Sequence, residues 1–332
     1  MNANIKQSVD KQKNVNIIAV ITKIAIIIAV YLAIAALVDF DLLNRRDKSL
    51  IVPIGVNIIL AVSLNLVTGF LGELSLGHAG FMSIGAYTGA LFTLNMDLPG
   101  IPEFLIAIIL GGIVAAIFGF LIGVPVLRLR GDYLAIVTLA FGEIIRSIIN
   151  TLSFPAGRDD AGNLIVQKGT MGLSGIETYA NYTWVYFAVV ITVIVCVNFV
   201  KSRHGRVITS IRDNIIAAES IGIHTSKYKI MAFVFAAFFA GVAGVISGYN
   251  VSIIKPGDYD YNRSIYILVF VVLGGMGSIR GSIIAAIILT ILPEILRPIE
   301  NYRMLMYAVL LIAMMIFNHS KLKLKLQEKF SK

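Results

Sequence analysis

Long apolar stretches constrain this sequence more than any other feature, because a helix of that length can cross a bilayer. Five are clear, at 17–38, 50–68, 101–124, 183–200 and 228–249. Five more are shorter or interrupted by glycine and charge, at 76–94, 133–150, 264–273, 281–292 and 303–317. Apolar residues make up 58% of the chain and charged residues 14%, too few to cover a water-facing surface. We therefore predict an all-α polytopic membrane protein of about eight to ten transmembrane helices with glycine-rich broken segments.

The distribution of basic residues predicts the orientation of these helices. Lys and Arg accumulate in short loops on the cytoplasmic side of a membrane. With ten crossings and a cytoplasmic N-terminus, most of the 28 Lys and Arg residues lie on the inner side. The net charge of +9 therefore reflects topology and gives no reason to expect a nucleic-acid partner. We predict a cytoplasmic tail at 1–16, a transmembrane domain at 17–318 in the lipid bilayer, and a basic cytoplasmic tail at 319–332.

The sequence contains no motif for nucleotide hydrolysis or metal binding. The G-x-x-x-x-G-K-[ST] phosphate loop, the H-E-x-x-H zinc motif and the G-x-S-x-G nucleophile elbow are all missing from it. The single Cys196 rules out a disulfide framework, and the four histidines are scattered. We therefore predict that the chain is not an enzyme and that it holds no metal or cofactor of its own.

The predicted cytoplasmic loop 201–227, here called the helical loop, carries more apolar residues than a connection needs. Ile208, Ile211 and Ile215 recur at the spacing of an amphipathic helix, and Gly222 follows where a helix would end. An exposed apolar stripe on a short helix usually marks a protein partner or a membrane surface. We expect one amphipathic helix that binds one of the two.

The first glycine-rich segment, residues 69–90, is unusual for a membrane span, because glycine costs a helix up to about 1 kcal/mol relative to alanine. Close helix packing explains the glycines, and so does a helix broken beside a solute path; packing is the favoured interpretation. Glu73 and His78 lie near the predicted inner end, where solvation at the interface is favoured over an ion relay. The translocation or packing candidates of this segment are Gly72, Ser75, Gly77, His78, Gly80 and Gly85.

The second glycine-rich segment, residues 273–282, loosely resembles the first one. It contributes the candidates Gly274, Gly275 and Gly277. Paired breaks in the two halves of a chain are typical of transporters with internal repeats.

One predicted span, 133–150, carries the further candidates Glu143 and Arg146, which lie three residues apart and can pair on one helix face. Ionisable residues within a span are functional candidates by default. A mutually neutralising structural pair is the favoured interpretation.

Four segments together resemble the high-affinity branched-chain amino acid ABC-transporter permeases, and their LivM-type rather than their LivH-type subunit. They are GELSLGHAGFMSIGAYTGA at 72–90, RLRGDYLAIVTLAFGEIIR at 128–146, GRVITSIRDNIIAAESIG at 205–222 and GGMGSIRG at 274–281. The resemblance covers about residues 50–318. It implies a permease subunit of an ATP-driven importer that moves leucine, isoleucine and valine across the bacterial cytoplasmic membrane by alternating access.

The resemblance also implies partners. Members of this family assemble with a second, LivH-type permease, with two ATP-binding cassette ATPases that carry ATP and Mg, and with an extracytoplasmic solute-binding protein. In such transporters a short cytoplasmic helix with the pattern A-A-x-x-x-G docks in a groove of the ATPase. We expect the extracytoplasmic loop 151–182 to contact the binding protein. The implied ATPase-docking residues are Arg212, Ala217, Ala218, Glu219 and Gly222.

Three alternatives remain open at the level of the sequence. Permeases for urea or short amides share the same architecture and motifs. An ion-coupled secondary transporter would use Glu143 and would need no ATPase, but it leaves the helical loop without a role. A structural membrane protein without transport leaves both glycine-rich segments unexplained.

Overall fold

The computed structural model describes residues 27–38, 45–96, 100–129, 131–158, 164–176, 180–251 and 253–296, with isolated positions at 22, 25, 305, 308, 309 and 312. Both predicted tails, the start of the predicted span 17–38 and most of 303–317 lie outside these residues. Two compact units divide the chain, residues 1–51 and 52–332. In the first unit the structure describes one apolar helix, α1 (Ile27–Val38).

Helices account for most of the described chain, which confirms the all-α prediction. Those after α1 are α2 (Arg45–Asn65), α3 (His78–Asn95), α4 (Gly100–Val126), α5 (Asp132–Thr151), α6 (Tyr182–Lys201), α7 (Arg203–Asp213), α8 (Ile215–Ser220), α9 (Thr225–Gly248), α10 (Tyr261–Gly274) and α11 (Ile279–Ile295). A π-helical turn, Leu66–Leu71, extends α2, and 3-10 turns span Gly169–Met171 and Pro256–Tyr259.

Five described helices are long and apolar enough to cross a membrane, which confirms a multi-pass membrane protein. They are Asp47–Leu71, Gly100–Val126, Asp132–Thr151, Tyr182–Lys201 and Thr225–Gly248. The predicted spans at 76–94, 264–273 and 281–292 also coincide with helices, namely α3, α10 and α11. Glycine and polar residues lower the mean hydropathy of α3, and α10 and α11 are short, so these three do not qualify by length and composition.

The core of the second unit forms where α9 packs against α3 and α4. The three helices approach at glycines: a Cβ on Gly85 of α3 would lie 2.1 Å from the carbonyl oxygen of Gly241 of α9. A Cβ on Gly241 would in turn lie 2.6 Å from the carbonyl oxygen of Gly111 of α4. Backbones in direct contact leave no space for a side chain, which is the typical arrangement of small residues in membrane helix packing.

The outer surface of the unit carries large apolar side chains at helical spacing. Along α4 they recur about every four residues, at Ile101, Leu105, Ile109, Ile113, Ile117 and Leu121. Such a stripe would be costly in water, whereas in a bilayer it contacts lipid or another membrane subunit.

Two short antiparallel strand pairs lie in and beside the predicted extracytoplasmic loop 151–182. β1 (Ser153–Arg158) pairs with β2 (Leu164–Lys168), and β3 (Leu173–Ser174) pairs with β4 (Ile253–Ile254). The pairs contact the C-terminal half of α3. The Asn95 side-chain amide donates to the Pro155 carbonyl over 2.9 Å, and the Tyr87 hydroxyl donates to the Ile254 carbonyl over 3.2 Å. The Phe154 ring also lies 5.6 Å from the Tyr87 ring, centroid to centroid.

Candidate functional site

The two glycine-rich segments, distant in sequence, are in direct contact. The backbone N–H of Gly277 donates to Asn65 Oδ1 over 2.9 Å, and Asn65 Nδ2 donates to Ser282 Oγ over 2.9 Å. A Cβ on Gly69 would lie 2.3 Å from the backbone nitrogen of Gly277. Because Asn65 is fully buried, one amide side chain at the end of α2 joins both segments inside the protein.

Turns at three glycines produce the non-helical parts of these segments. Gly72 has φ +81°, Gly275 has φ +92° and Gly277 has φ +80°. Residues with a Cβ rarely adopt this left-handed region, so these positions are specific for glycine. The chain thereby leaves the π-helical turn at Gly72 and runs without helix to α3, and α10 ends before α11 begins.

The remaining glycine candidates are contact positions between helices. A Cβ on Gly77 would lie 2.4 Å from the Thr138 carbonyl oxygen, and one on Gly80 would lie 2.9 Å from Cα of Gly142. Both neighbours belong to α5. Gly274 makes the corresponding contact within the second segment, since its Cβ would lie 2.5 Å from the carbonyl carbon of Gly281.

Two polar residues of the first glycine-rich segment, Glu73 and His78, are paired inside the protein, and solvation at the interface is the wrong description for His78. That side chain is only 2% exposed, and its Nε2 hydrogen-bonds Ser63 Oγ over 2.9 Å. Ser75 is likewise buried. Glu73 forms an ion pair with Lys229 near the start of α9, and both side chains are largely shielded from solvent. The neighbouring helices α2 and α9 cover this region, which sequence distance alone does not reveal.

The helical loop consists of two helices, so the expectation of one continuous amphipathic helix is wrong. Asn214 separates α7 from α8 with extended backbone angles, φ −158° and ψ 104°. Its side-chain oxygen accepts the Ala217 N–H over 3.0 Å and so caps the start of α8. The short amide side chain of asparagine can hydrogen-bond the nearby backbone, which competes with continuation of the helix. The chain therefore ends α7 at Asn214 and begins a separate helix, α8.

A glycine turn ends α8 where the sequence predicts a helix end. Gly222 has φ +84°, its N–H donates to the Glu219 carbonyl over 3.0 Å, and the Ile223 N–H donates to the Ala218 carbonyl over 3.1 Å. These two bonds form a Schellman motif. The Thr225 hydroxyl also donates to Glu219 Oε1 over 2.9 Å, which ties the turn to the first residue of α9.

The implied docking residues fall on different faces of the helical loop. Ala217, Glu219 and Gly222 are exposed, beside Ile216 at 74% and Ile221 at 75% exposure. Ala218 faces inward and is 3% exposed. The Arg212 side chain is 39% exposed, but its Nη1 donates to the Gly69 carbonyl over 3.0 Å.

Glu143 and Arg146 form an ion pair on α5, with Nη2 of Arg146 2.7 Å from Oε2 of Glu143. The other oxygen of Glu143, Oε1, accepts the backbone N–H of Tyr261 over 2.9 Å. That N–H is one of the unsatisfied donors at the start of α10. The carboxylate therefore neutralises its neighbour and caps a second helix.

A chain of side-chain hydrogen bonds among three helices was not predicted from the sequence. Arg263 Nη2 donates to Asn57 Oδ1 over 2.9 Å, and Asn57 Nδ2 donates to Thr290 Oγ1 over 2.9 Å. These two hydrogen bonds connect α10, α2 and α11. The available signal was the pair of asparagines, Asn57 and Asn65, inside an otherwise apolar span, because buried amides need hydrogen-bond partners.

Comparisons with known proteins agree on one family. The branched-chain amino acid transport system permease components match residues 48–317. The chain is 36% identical over 283 residues to the high-affinity branched-chain amino acid transport system permease protein LivM of Salmonella typhimurium, covering 78% of this chain and 66% of that protein. It thus spans just under two thirds of the length of this relative.

Two further relatives are more distant. The permease protein LivH of Salmonella typhimurium is 25% identical over 245 residues, covering 70% of this chain and 78% of LivH. The fructose import permease protein FruG of Bifidobacterium longum is 26% identical over 246 residues, covering 71% and 70%. No solved structure matches the chain significantly. With a family match over most of its length and a LivM relative at 36% identity, the chain belongs to the family of branched-chain amino acid transport system permease components.

Proposed function

We propose that this chain is the permease subunit of an ATP-driven importer that moves leucine, isoleucine and valine across the bacterial cytoplasmic membrane. ATP and Mg bind to separate ATPase subunits, and the chain itself performs no chemistry. Its partners are a LivH-type permease, two ATP-binding cassette ATPases and an extracytoplasmic solute-binding protein. The substrate assignment is supported by the LivM relative, whose name specifies branched-chain amino acids.

The exposed end of the helical loop carries the mechanistic part of the proposal. Ile216 in the first turn of α8 and Ile221 directly after its last residue are each about three quarters exposed. The Schellman turn at Gly222 holds the end of α8 in a defined direction. A short, oriented helix with apolar residues exposed is suited to insertion into a groove of another protein. An ATPase that changes shape on binding ATP is the partner this proposal requires.

Transport then proceeds by alternating access. ATP binding closes the ATPase pair, the docked α7 and α8 move with it, and the permease changes from inward-open to outward-open. The solute-binding protein delivers its amino acid to the outward-open state. The strands β1 and β2 fit a role as its contact, since Val166 and the neighbouring Met171 expose apolar side chains there.

Discrimination between solutes belongs mainly to the binding protein in this mechanism. Burial of a leucine side chain stabilises a complex by about 1.5–3 kcal/mol, and tight binding within the permease would slow release. The permease therefore needs only a weak passage site. Urea or a short amide is the alternative cargo within the same architecture.

Docking predicts a specific defect when the outer face of α8 is changed. Glu219→Lys combined with Gly222→Trp reverses a charge and forces a bulky residue into a left-handed turn, which disfavours the Schellman geometry. We expect membrane insertion to persist while copurification of the ATPase and leucine uptake fall about tenfold or more. Affinity purification from detergent and uptake of labelled leucine measure the two effects.

A matched variant controls for charge reversal elsewhere on the helical loop. Arg203→Glu changes an exposed residue at the start of α7, away from α8. This variant should retain both the ATPase and uptake. Normal ATPase recovery and normal uptake in the double variant at 219 and 222 would contradict the docking assignment.

Ion coupling predicts a different outcome at Glu143. Glu143→Gln keeps an oxygen that can accept the Tyr261 N–H but removes the proton-binding carboxylate. In the ATP-driven mechanism this carboxylate carries no coupling ion, so removing its charge affects only the pair with Arg146. We expect leucine uptake within about twofold of wild type. Abolished uptake in a complex that still assembles would favour an ion-coupled transporter, and Arg146→Gln provides the complementary control.

A further inference from the structure

We propose that Arg212 is a positioning residue that transmits movement of the helical loop to both glycine-rich segments. This inference rests on the proposed function, because it gives docking of α8 a route into the membrane domain. Arg212 thus acts within the permease and is not a contact to the ATPase.

The side chain of Arg212 contacts both segments. Nη1 donates to the Gly69 carbonyl over 3.0 Å, and the same nitrogen lies 3.3 Å from where a Cβ on Gly277 would be. The aliphatic part passes over Gly72, since a Cβ there would lie 2.6 Å from Arg212 Cγ. The absence of a side chain at 72 and 277 therefore leaves space for the Arg212 side chain and also allows the left-handed turns.

The Gly69 carbonyl is a suitable target for a cation. It lies in the last turn of the π-helical extension of α2, where carbonyl groups lack intrahelical partners. Positive side chains are favourable at the negative end of a helix. The hydrogen bond from Arg212 therefore satisfies a backbone acceptor at the point where α2 stops being helical.

The geometry is suited to arginine rather than lysine. While Nη1 contacts Gly69, Nε and Nη2 donate to Asp213 Oδ1 over 3.2 and 3.1 Å, which fixes the plane of the guanidinium. A planar group with five donors can serve two acceptors at once, whereas an ammonium acts as a point charge. Asp213, at the end of α7, thus sets the orientation of the Arg212 guanidinium group.

An ion pair holds the other side of the Gly72 turn. Glu73, the next residue, pairs with Lys229 of α9, and residues 72, 73, 212 and 229 line one open cleft. Gly72 is therefore bracketed by a link to α7 on one side and a link to α9 on the other. A shift of α7 and α8 has to displace the Gly69 carbonyl, and through Asn65 and Gly277 it reaches the second segment.

The test measures coupling in the complete transporter reconstituted in liposomes with its binding protein. Arg212→Ala should copurify the ATPases at wild-type yield and keep their ATP hydrolysis, while labelled leucine taken up per ATP hydrolysed falls about tenfold, within the usual range of coupling between sites. Arg212→Lys should restore part of this ratio, since a single donor can still reach Gly69. Arg206→Ala, an exposed arginine on the same helix, should leave all three readouts unchanged.

Two results would overturn the proposal. If Arg212→Ala loses the ATPases, the residue is a docking contact. If hydrolysis and uptake fall in equal proportion, its role is structural stability alone. A wild-type complex that shows no ATP-dependent leucine uptake would instead refute the proposed function, so the two failures are distinguishable.

Discussion

Replacing Gly85 with alanine is expected to destabilise the protein by about 3 kcal/mol or more, although alanine is the better helix former. The added methyl group would lie 2.1 Å from the carbonyl oxygen of Gly241 and 2.5 Å from its Cα. Both are backbone atoms in the middle of α9, so no side-chain rotation relieves the overlap. Thermal unfolding of the purified protein in detergent, with the yield of monodisperse material, measures the loss.

The same substitution at Gly123 is the matched control. Gly123 lies in another membrane helix, α4. A Cβ on it would lie 3.4 Å from the Phe233 side chain and 3.5 Å from the Leu127 side chain, which are ordinary van der Waals distances. Gly123→Ala should therefore be neutral or stabilise by up to about 1 kcal/mol through helix propensity. Equal unfolding temperatures for the two alanine variants would contradict the close approach of α3 and α9.

Replacing Lys229 with methionine is expected to cost about 3–5 kcal/mol, because it leaves the Glu73 carboxylate shielded and unpaired. Lys229 is only 4% exposed, and the two charges are far apart in sequence. Removing both charges, with Glu73→Gln added, should recover most of the loss, since uncharged partners need no compensation. The unfolding temperatures of the single and double variants measure this coupling.

Lys227 provides the comparison for that experiment. It lies two residues earlier on α9 and is exposed, so Lys227→Met removes the same charge without leaving a buried partner. The change should stay within about 0.5 kcal/mol. If Lys229→Met behaves like Lys227→Met, the ion pair does not stabilise the first glycine-rich segment.

Local patterns in the sequence predicted the helices well. The boundaries of α4, α5, α6 and α9 agree with the apolar stretches to within a few residues, because composition over about 20 residues decides whether a segment can span a bilayer. The glycine turn at Gly222 was also predictable, since a left-handed residue after a helix is most often glycine.

The contacts between residues that are distant in sequence could not be predicted from such local patterns. The position of His78 near the predicted inner end of a span favours an interfacial residue, yet Ser63 and the surrounding helices bury it. The break at Asn214 depended on a competition between a continuous amphipathic helix and a side-chain cap. Apolar periodicity records only the first of these two contributions.

The junction of the two glycine-rich segments combines both situations. Glycine at 72, 275 and 277 marks turns that can be inferred from a single sequence. Their convergence on Asn65 and Arg212 depends on tertiary packing between residues more than 140 positions apart, and no local pattern encodes it. The resemblance implies Arg212 as a docking residue, and its side chain also donates to the Gly69 carbonyl.

The most direct test of the account is uptake of labelled leucine, isoleucine and valine by cells with and without this chain, in the presence of its partner subunits. We predict that uptake is lost without the chain and restored with it. Each amino acid should compete, excess urea and fructose should not, and uptake should persist under an uncoupler while ATP is maintained. Unchanged amino-acid uptake in cells lacking the chain, or collapse of uptake under the uncoupler with ATP intact, would contradict it.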